Sequence, residues 1–391
     1  MRRQAAFAGR HDPPYDRELI RSGGVSGARP QRGRRPQPPP RGQARRTRPP
    51  RERRRRGSFG GFIRGVLVLG LLAVIVVAVV IGLRAAAFNA TVSTAGFPST
   101  ALFGPLNGSD RVNVVMVGYG GGDHDGAYLA DSIQVLSIDP ATDTTTSIPI
   151  PRDLWIEGVA SYGRNGKMNE VFSAGHARGD LATAGDLLAE VLTDVTGLRI
   201  EHWISMDFQG FREMVDAVGG VTVDNPRSFM WTTNDRARQT GNWLGTFEAG
   251  EIHLDGQEAL MYSRARFTSI QEESTDFARS ARQARVIGGL RSKLGEGGVT
   301  SILPGLQLMD ALEGRMYTNL SAIDLFLLSG HLSADRRVEL SEGAVLTATT
   351  NTIGQYILVP TGWMGPGDYG RLRSHLDQEL SRPAGSGADA P

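Results

Sequence analysis

The sequence predicts an α/β protein: an α-β-α sandwich with a mixed central sheet, preceded by one transmembrane helix. Three observations carry that expectation. Residues 65–83 are an uncharged run closed by Arg64 and Arg84. Beyond residue 111, short apolar runs end at glycine or at charged pairs, as buried strands do. Longer segments with apolar residues at helical spacing lie between them, and strands alternating with amphipathic helices build layered α/β domains.

The uncharged run is the first element. At about 1.5 Å per residue it reaches roughly 28 Å, close to the hydrocarbon thickness of a bilayer. A core helix of that length would carry a polar face. A secretory signal would have only about 7–15 apolar residues close to the N-terminus. The flanks set the orientation: Arg51, Arg53, Arg54, Arg55, Arg56 and Arg64 crowd one side, against Arg84 on the other. The positive-inside rule therefore predicts a single-pass cell-membrane protein, N-terminus cytoplasmic, with everything beyond the helix outside the cell.

Charge divides the chain in the same place. The formal net charge of +2 combines +15 over residues 1–64, which hold nineteen Arg, with −13 over the rest. The tail 1–64, rich in Arg, Pro, Gly and Gln, cannot bury enough surface to fold and is expected to be disordered. Its arginine runs read as a topology signal that clings to anionic headgroups of the lipid bilayer, so nucleic acid is not the expected partner. Cysteine is absent, which excludes disulfides, a thiolate nucleophile and Cys-ligated metals.

Residues 84–110, small and polar with Gly and Pro, read as a linker. The domain proper spans 111–380, with strands predicted at 112–117, 132–138 and 144–150, the last two separated by a turn at Asp139 and Pro140. Helices are predicted at 181–196, 208–218, 256–263 and 277–294, with strands at 202–206 and 221–223 between them. Residues 320–332 read as helix, 356–359 as strand, 369–380 as a closing helix and 381–391 as a disordered tail.

Four clusters carry candidate chemistry. GYGGGDHDG at 118–126 follows the first strand and precedes Asp131 and Ser132. Its glycines suit close approach of backbone N–H groups to an anion, and Asp123, Asp125 and Asp131 are the oxygen ligands Mg²⁺ takes beside phosphate. A surface loop with a capping Asp accounts for the same residues equally well. IPRD at 150–153 ends a strand at a charged pair, with Arg152 as a bidentate phosphate donor oriented by Asp153, or a surface ion pair. Lys167, in GKMN at 166–169, is a further cation, with Asn169 placed to cap the next helix. In YSRAR at 262–266, Arg264 and Arg266 lie on one side if the chain is extended, where an anion such as pyrophosphate would relieve their repulsion, or they are two solvated arginines. In DFARSARQ at 276–283, Asp276, Arg279 and Gln283 share one helix face, and Arg282 falls on its flank.

With IPIPRD at 148–153, VDAVGGV at 215–221 and LDGQEAL at 254–260, these segments in this order resemble the LytR-CpsA-Psr family over roughly residues 112–294. The resemblance implies a phosphotransferase that moves an anionic glycopolymer from a polyprenyl-pyrophosphate carrier to a peptidoglycan hydroxyl, with 111–380 as its extracellular catalytic domain. It implies that Asp131 binds Mg²⁺, that Arg152, Arg264, Arg266, Arg279 and Gln283 hold pyrophosphate, and that Lys167 is another site position. This chain departs from the family pattern at Gly120 and Leu129, where Asp and Arg are usual, so Asp123 or Asp125 is expected to supply the missing carboxylate. The polyprenyl chain needs an apolar slot, for which helices 181–196 and 208–218 are candidate walls, although such apolar stripes are more often plain core. Two other readings stand beside this one: a lipid-pyrophosphate hydrolase using the same anion grip, and a non-catalytic envelope or transcription-attenuator protein.

Overall fold

The computed structural model describes residues 59–108, 110–296, 302–331 and 334–382, so the tails expected at 1–64 and 381–391 fall almost wholly outside the described residues. Helix α1 (Phe59–Val92) comes first, and its stretch from Leu67 to Val92 is long and apolar enough to cross a membrane. Leu67, Leu71, Val74 and Leu83 are exposed along it, as residues facing lipid would be.

The expected linker is part of the domain instead. α1 continues past Arg84, which pairs with Asp310 at 3.0 Å, and its last turns bury Phe88 and Val92 against Leu312 and Met316. Asn89 donates to the Ala95 carbonyl and accepts from the Ala322 N–H. Buried Asp324 accepts from the Thr100 hydroxyl and from the backbone N–H groups of Ala101 and Leu102. Small and polar composition signals a linker on average. Here four or so well-spaced residues pin the segment down, and a rigid helix enters the domain.

After α2 (Phe103–Leu106), strands β1 (Val112–Tyr119), β2 (Ala130–Asp139) and β3 (Thr144–Pro149) run antiparallel in sequence. The small pair β4 (Trp155–Ile156) and β5 (Gly166–Lys167) leads into α3 (Met168–Arg178) and α4 (Leu181–Thr196). Lys167 occupies the cap position of α3, so Asn169 lies within the first turn and caps nothing. α4 starts at Asp180, whose carboxylate accepts from the Thr183 N–H, and stops at Gly197 in the left-handed region. β6 (Ile200–Asp207) then pairs parallel with β1.

The second half comprises α5 (Phe208–Ala217), β7 (Val221–Asn225), β8 (Phe229–Thr232), α6 (Asp235–Gln239), β9 (Gly245–Phe247), β10 (Gly250–Leu254), α7 (Gly256–Arg264), β11 (Phe267–Thr268) and α8 (Asp276–Glu296). It continues with α9 (Ile302–Leu312), β12 (Met316–Thr318), α10 (Ala322–Ser329), β13 (Arg336–Arg337), the hairpin β14 (Leu346–Thr350) and β15 (Tyr356–Pro360), and α11 (Gly370–Ser381). α10 is shorter than expected because Ser321 and Asp324 form a capping box at its start and Gly330 follows its end.

The central sheet has the order β12-β6-β1-β2-β3-β13. β1–β6 and β3–β13 are parallel and the remaining pairs antiparallel, so the sheet is mixed. α3, α4 and α11 cover one face, where Val115, Val117, Ile133, Val135 and Trp203 pack with Leu188, Val191 and Leu376. Contact there is tight: a Cβ on Gly185 would lie 2.2 Å from the Trp203 indole. On the other face α5, α7 and α8 gather around a core of their own, with Val215, Val221, Tyr262, Val286 and Leu290. That layer stands off from the sheet and leaves an apolar slot of about 180 Å³.

Candidate active site

The site begins with an irregularity. Gly118 pairs with Ser132 but Tyr119 pairs with Ala130, which leaves Asp131 as the extra residue of a bulge. Bulges re-aim a side chain, and this one delivers a carboxylate to the end of the sheet. β3 runs antiparallel to β2, so its end comes back beside Asp131, and the turn after it carries Arg152. Arg152 Nη1 lies 3.3 Å from Asp131 Oδ1. From the opposite layer, at the C-terminal end of α7, Arg264 Nη2 lies 3.3 Å from Asp131 Oδ2. The Arg264 guanidinium rests over the Phe208 ring, 4.0 Å from its centroid.

Around this pair of bridges, Arg266, Arg279 and Gln283 line a cavity of about 320 Å³ together with Asp131, Arg152 and Arg264. Arg264 ends a helix and Arg266 follows a buried Ala265 in extended conformation, which turns both toward one space. Ser132 Oγ donates to Gln283 Oε1 at 3.1 Å and ties α8 to the sheet. Four guanidinium groups against one carboxylate leave the cavity strongly cationic. The side chain of Asp276 lies outside what the structure describes.

Three expected residues have other positions. Lys167 Nζ sits 2.6 Å from Asp153 Oδ1, and Asp153 Oδ2 is 3.4 Å from Arg152 Nε. Lys167 thus stands behind Arg152 and supports it through Asp153. It does not line the cavity. Asp123 and Asp125 are exposed at the tip of the glycine loop, which turns back on itself through the Gly121 N–H to Ala127 carbonyl bond. Neither joins Asp131 in the cavity, because positive φ at Gly121, Gly122 and Gly126 folds the loop into its own turns.

Among the described residues no group of three or more acidic or histidine side chains gathers to hold a metal. The cavity offers a divalent cation one carboxylate, Asp131. Mg²⁺ commonly binds through one or two carboxylates, with substrate phosphates and water as the other ligands. The residues present fit that arrangement and no larger protein cage.

Arg282 is not a flank residue. It is fully buried, pairs with Glu273 at 2.7 Å, and donates to the carbonyls of Tyr262, Ala265 and Glu273. Burial pushes its guanidinium below the ordinary value, and the Glu273 carboxylate opposes that shift. It clamps the backbone between α7 and β11, the stretch that carries Arg264 and Arg266.

The slot lies beside the same cluster. Met116, Ile204 and Met206 from the sheet face Phe211, Met214, Leu260, Ile287 and Leu290 from the helices, and Ser132, Arg264 and Gln283 lie at its polar end. Alternation along the strands explains this. Val115 and Val117 point into the α3/α4 core, so Met116 and Gly118 face the slot. α5 is a wall as expected. α4 is not, because it packs on the opposite face of the sheet. Trp231, Thr232 and Phe267 also line the cationic cavity. No local sequence signal marked them, since they come from the small sheet β11-β8-β9 and carry no charge.

A helix long and apolar enough to span a membrane precedes a mixed-sheet domain in which an arginine-lined cavity adjoins an apolar slot. The LytR_cpsA_psr family model matches residues 83–360, and the chain belongs to that family. It is 30% identical over 250 residues to the polyisoprenyl-teichoic acid–peptidoglycan teichoic acid transferase TagU of Oceanobacillus iheyensis, covering 64% of this chain and 72% of that protein. It is 28% identical over 223 residues to the TagU of Enterococcus faecalis, covering 56% of this chain and 65% of that protein. The fold matches the gbs0355 protein of Streptococcus agalactiae (TM-score 0.53, 20% identity, covering 74% of this chain and 94% of that one). It also matches TagV of B. subtilis (TM-score 0.50, 21% identity, covering 71% and 99%).

Proposed function

We propose that this protein transfers an anionic glycopolymer from a polyprenyl-pyrophosphate carrier to a hydroxyl of peptidoglycan at the outer face of the cell membrane. The observation that supports this reading most is a cavity lined by four arginines that adjoins an apolar slot through Ser132, Arg264 and Gln283. A lipid-linked pyrophosphate needs both, a water-free groove for its chain and paired guanidinium forks for its phosphates. The names of the relatives support a polyisoprenyl-linked polymer as donor and peptidoglycan as acceptor.

In this reading Arg152, Arg264, Arg266 and Arg279 hold the pyrophosphate and neutralise charge that builds up on the bridging oxygen as the lipid phosphate leaves. Gln283, held by Ser132, fixes the register of the phosphates against the sheet. Asp131 accepts a hydrogen bond from the acceptor hydroxyl and takes its proton. Asp131 is also the residue that would hold Mg²⁺, which when bound supplies further neutralisation of the phosphates. Arg282 and the Lys167–Asp153 pair position these groups without touching substrate. The arginine excess before α1 supports a cytoplasmic N-terminus and an external domain.

The test uses the full-length chain in detergent, a synthetic polyprenyl-pyrophosphate oligosaccharide and peptidoglycan glycan oligomers. Mass spectrometry is expected to find a phosphodiester-linked conjugate and polyprenyl monophosphate in equal amounts. Polyprenyl monophosphate without conjugate would make the protein a hydrolase. Neither product, with and without Mg²⁺, would remove the catalytic reading.

A further inference from the structure

α1 fixes which end of the domain faces the bilayer. Its contacts retreat in step with the chain it meets: Ser93 bridges Thr318 in parallel, Phe88 and Val92 share a cluster with Met316 and Leu312, and Arg84 reaches Asp310. β12 is antiparallel to β6, with Thr318 opposite Ile204 and Met316 opposite Met206. The bilayer side of α1 therefore lies toward Asp207 and Tyr119, at the end of the sheet that carries Asp131. From Ser93 back to Arg84 is nine residues, about 13 Å of helix. From Ile204 to Asp207 is three residues, about 10 Å of strand. The cationic end of the sheet thus comes within a few ångström of the level of Arg84, where the apolar span stops.

The small sheet β11-β8-β9 lies at that same end. Val221 and Thr222, at the start of β7, lie against Gly289, late in α8. Phe229 in β8 lies against Arg282, with the guanidinium 5.1 Å from the ring centroid. The chain thus climbs α8 toward its first turns, which bring Arg279 to the cavity, and Trp231 and Thr232 continue it as cavity wall.

Alternation along β8 gives this sheet two faces. Phe229 and Trp231 pack on Phe247. Met230 points the other way, opposite Thr246 on β9, and both are exposed. Leu244 is exposed just before β9, held by its N–H to the Trp231 carbonyl at 2.9 Å. α6, between β8 and β9, carries exposed Arg236 and an Arg238–Asp235 pair at 2.6 Å, so its net charge is positive. Isolated exposed apolar side chains are ordinary. Apolar tips beside arginine, at the level where a membrane helix leaves the bilayer, have the makeup of an interfacial contact.

We propose that this outer face seats the domain on the bilayer that α1 crosses, with Met230 and Leu244 entering the boundary between headgroups and acyl chains and Arg236 lying among anionic headgroups. The cavity that Trp231 and Thr232 line then sits at headgroup depth, so the phosphates of a lipid lie level with the arginines before its chain leaves the acyl layer. The seating rests on α1 spanning the membrane and not on which reaction the site performs.

The chain has no cysteine, so a single introduced one reports a single site. The test places a polarity-sensitive fluorophore on Leu244→Cys, Thr246→Cys or Glu201→Cys, the last exposed near the opposite end of β6. The full-length chain is held in nanodiscs of phosphatidylethanolamine and anionic phosphatidylglycerol. The label on Leu244→Cys is expected to emit at shorter wavelength and to be quenched by lipids spin-labelled in the acyl chain. The label on Glu201→Cys is expected to emit as in water and to escape quenching. Met230→Ser with Leu244→Asp, both on exposed residues, is expected to abolish quenching of the Thr246→Cys label at unchanged melting temperature. No quenching at Leu244→Cys, equal quenching at Glu201→Cys, or quenching at Thr246→Cys that survives the paired substitutions would each overturn the seating.

Discussion

The two faces of the central sheet are built from the same strands and serve opposite ends. On β6, Trp203 points to the α3/α4 side, is fully packed against Gly185 and donates its indole N–H to Asp186 at 2.7 Å. Its neighbours Ile204 and Met206 point to the other side, where they meet Phe88, Val92, Leu312 and Met316 along one flank and border the slot along the other. The closed face supplies stability through buried apolar area. The open face gives up some of that contact and keeps a groove, because its helices find their packing in a separate core. The difference teaches that binding space in this fold comes from where a layer declines to pack.

The contrast can be broken first on the closed side. Trp203→Ala is expected to cost about 3–5 kcal/mol, the range for emptying a large aromatic site in a full core, measured by chemical denaturation. A loss below about 1 kcal/mol would mean that this face is not the stabilising one. Arg282→Ala removes one partner of a buried ion pair and should cost a similar amount, about 3–5 kcal/mol.

Arg264→Ala sharpens the contrast from the site. This side chain is 44% exposed, so stability should stay within about 1 kcal/mol. Transfer should fall by about 10²–10³-fold, mainly in kcat, since charge neutralisation counts most in the transition state. Unfolding of Arg264→Ala together with retained activity in folded molecules would reverse the roles assigned to Arg264 and Arg282.

Met206→Ala on the open side is expected to cost less than Trp203→Ala, about 2 kcal/mol at the low end of the range for a core methionine, because the side chain packs on one flank and borders the slot on the other. The smallest effect concerns the segment that joins helix and domain. Burial would raise the carboxyl of Asp324, but hydrogen bonds from Thr100, Leu102 and Ser321 outweigh burial and hold it below its ordinary value. A depressed carboxyl contributes stability that is present above the ordinary carboxylate range and is lost as pH falls through the depressed value. Asp324→Asn should therefore cost about 1 kcal/mol at neutral pH, a cap's worth, and the gap to the parent should close in acid. A constant gap across pH would show that the carboxylate's charge plays no part.

Local signals were legible in the sequence, and those that depend on distant chain were not. α4 could be read because its apolar spacing is bounded by Asp180 and Gly197. The arginines of the site could be read because they stand out in a stretch that is otherwise acidic. The bulge at Asp131 could not, since it is a property of two strands in register. Asp123 and Asp125 were misplaced because proximity along the chain says nothing of where a glycine loop points its tip. Arg282 was misread because one step around a helix separates a face that meets a cavity from one that meets a core.

The central claim is that the open face holds a polyprenyl chain with its phosphates in the arginine cluster. The most direct measurement is native mass spectrometry of the detergent-extracted full-length protein and of Ile287→Trp, which fills the slot from α8. The account predicts a retained polyprenyl phosphate on the parent, and its loss from Ile287→Trp at unchanged melting temperature. A parent free of such lipid even after incubation with synthetic polyprenyl pyrophosphate, or equal retention by the slot-filled variant, would contradict it.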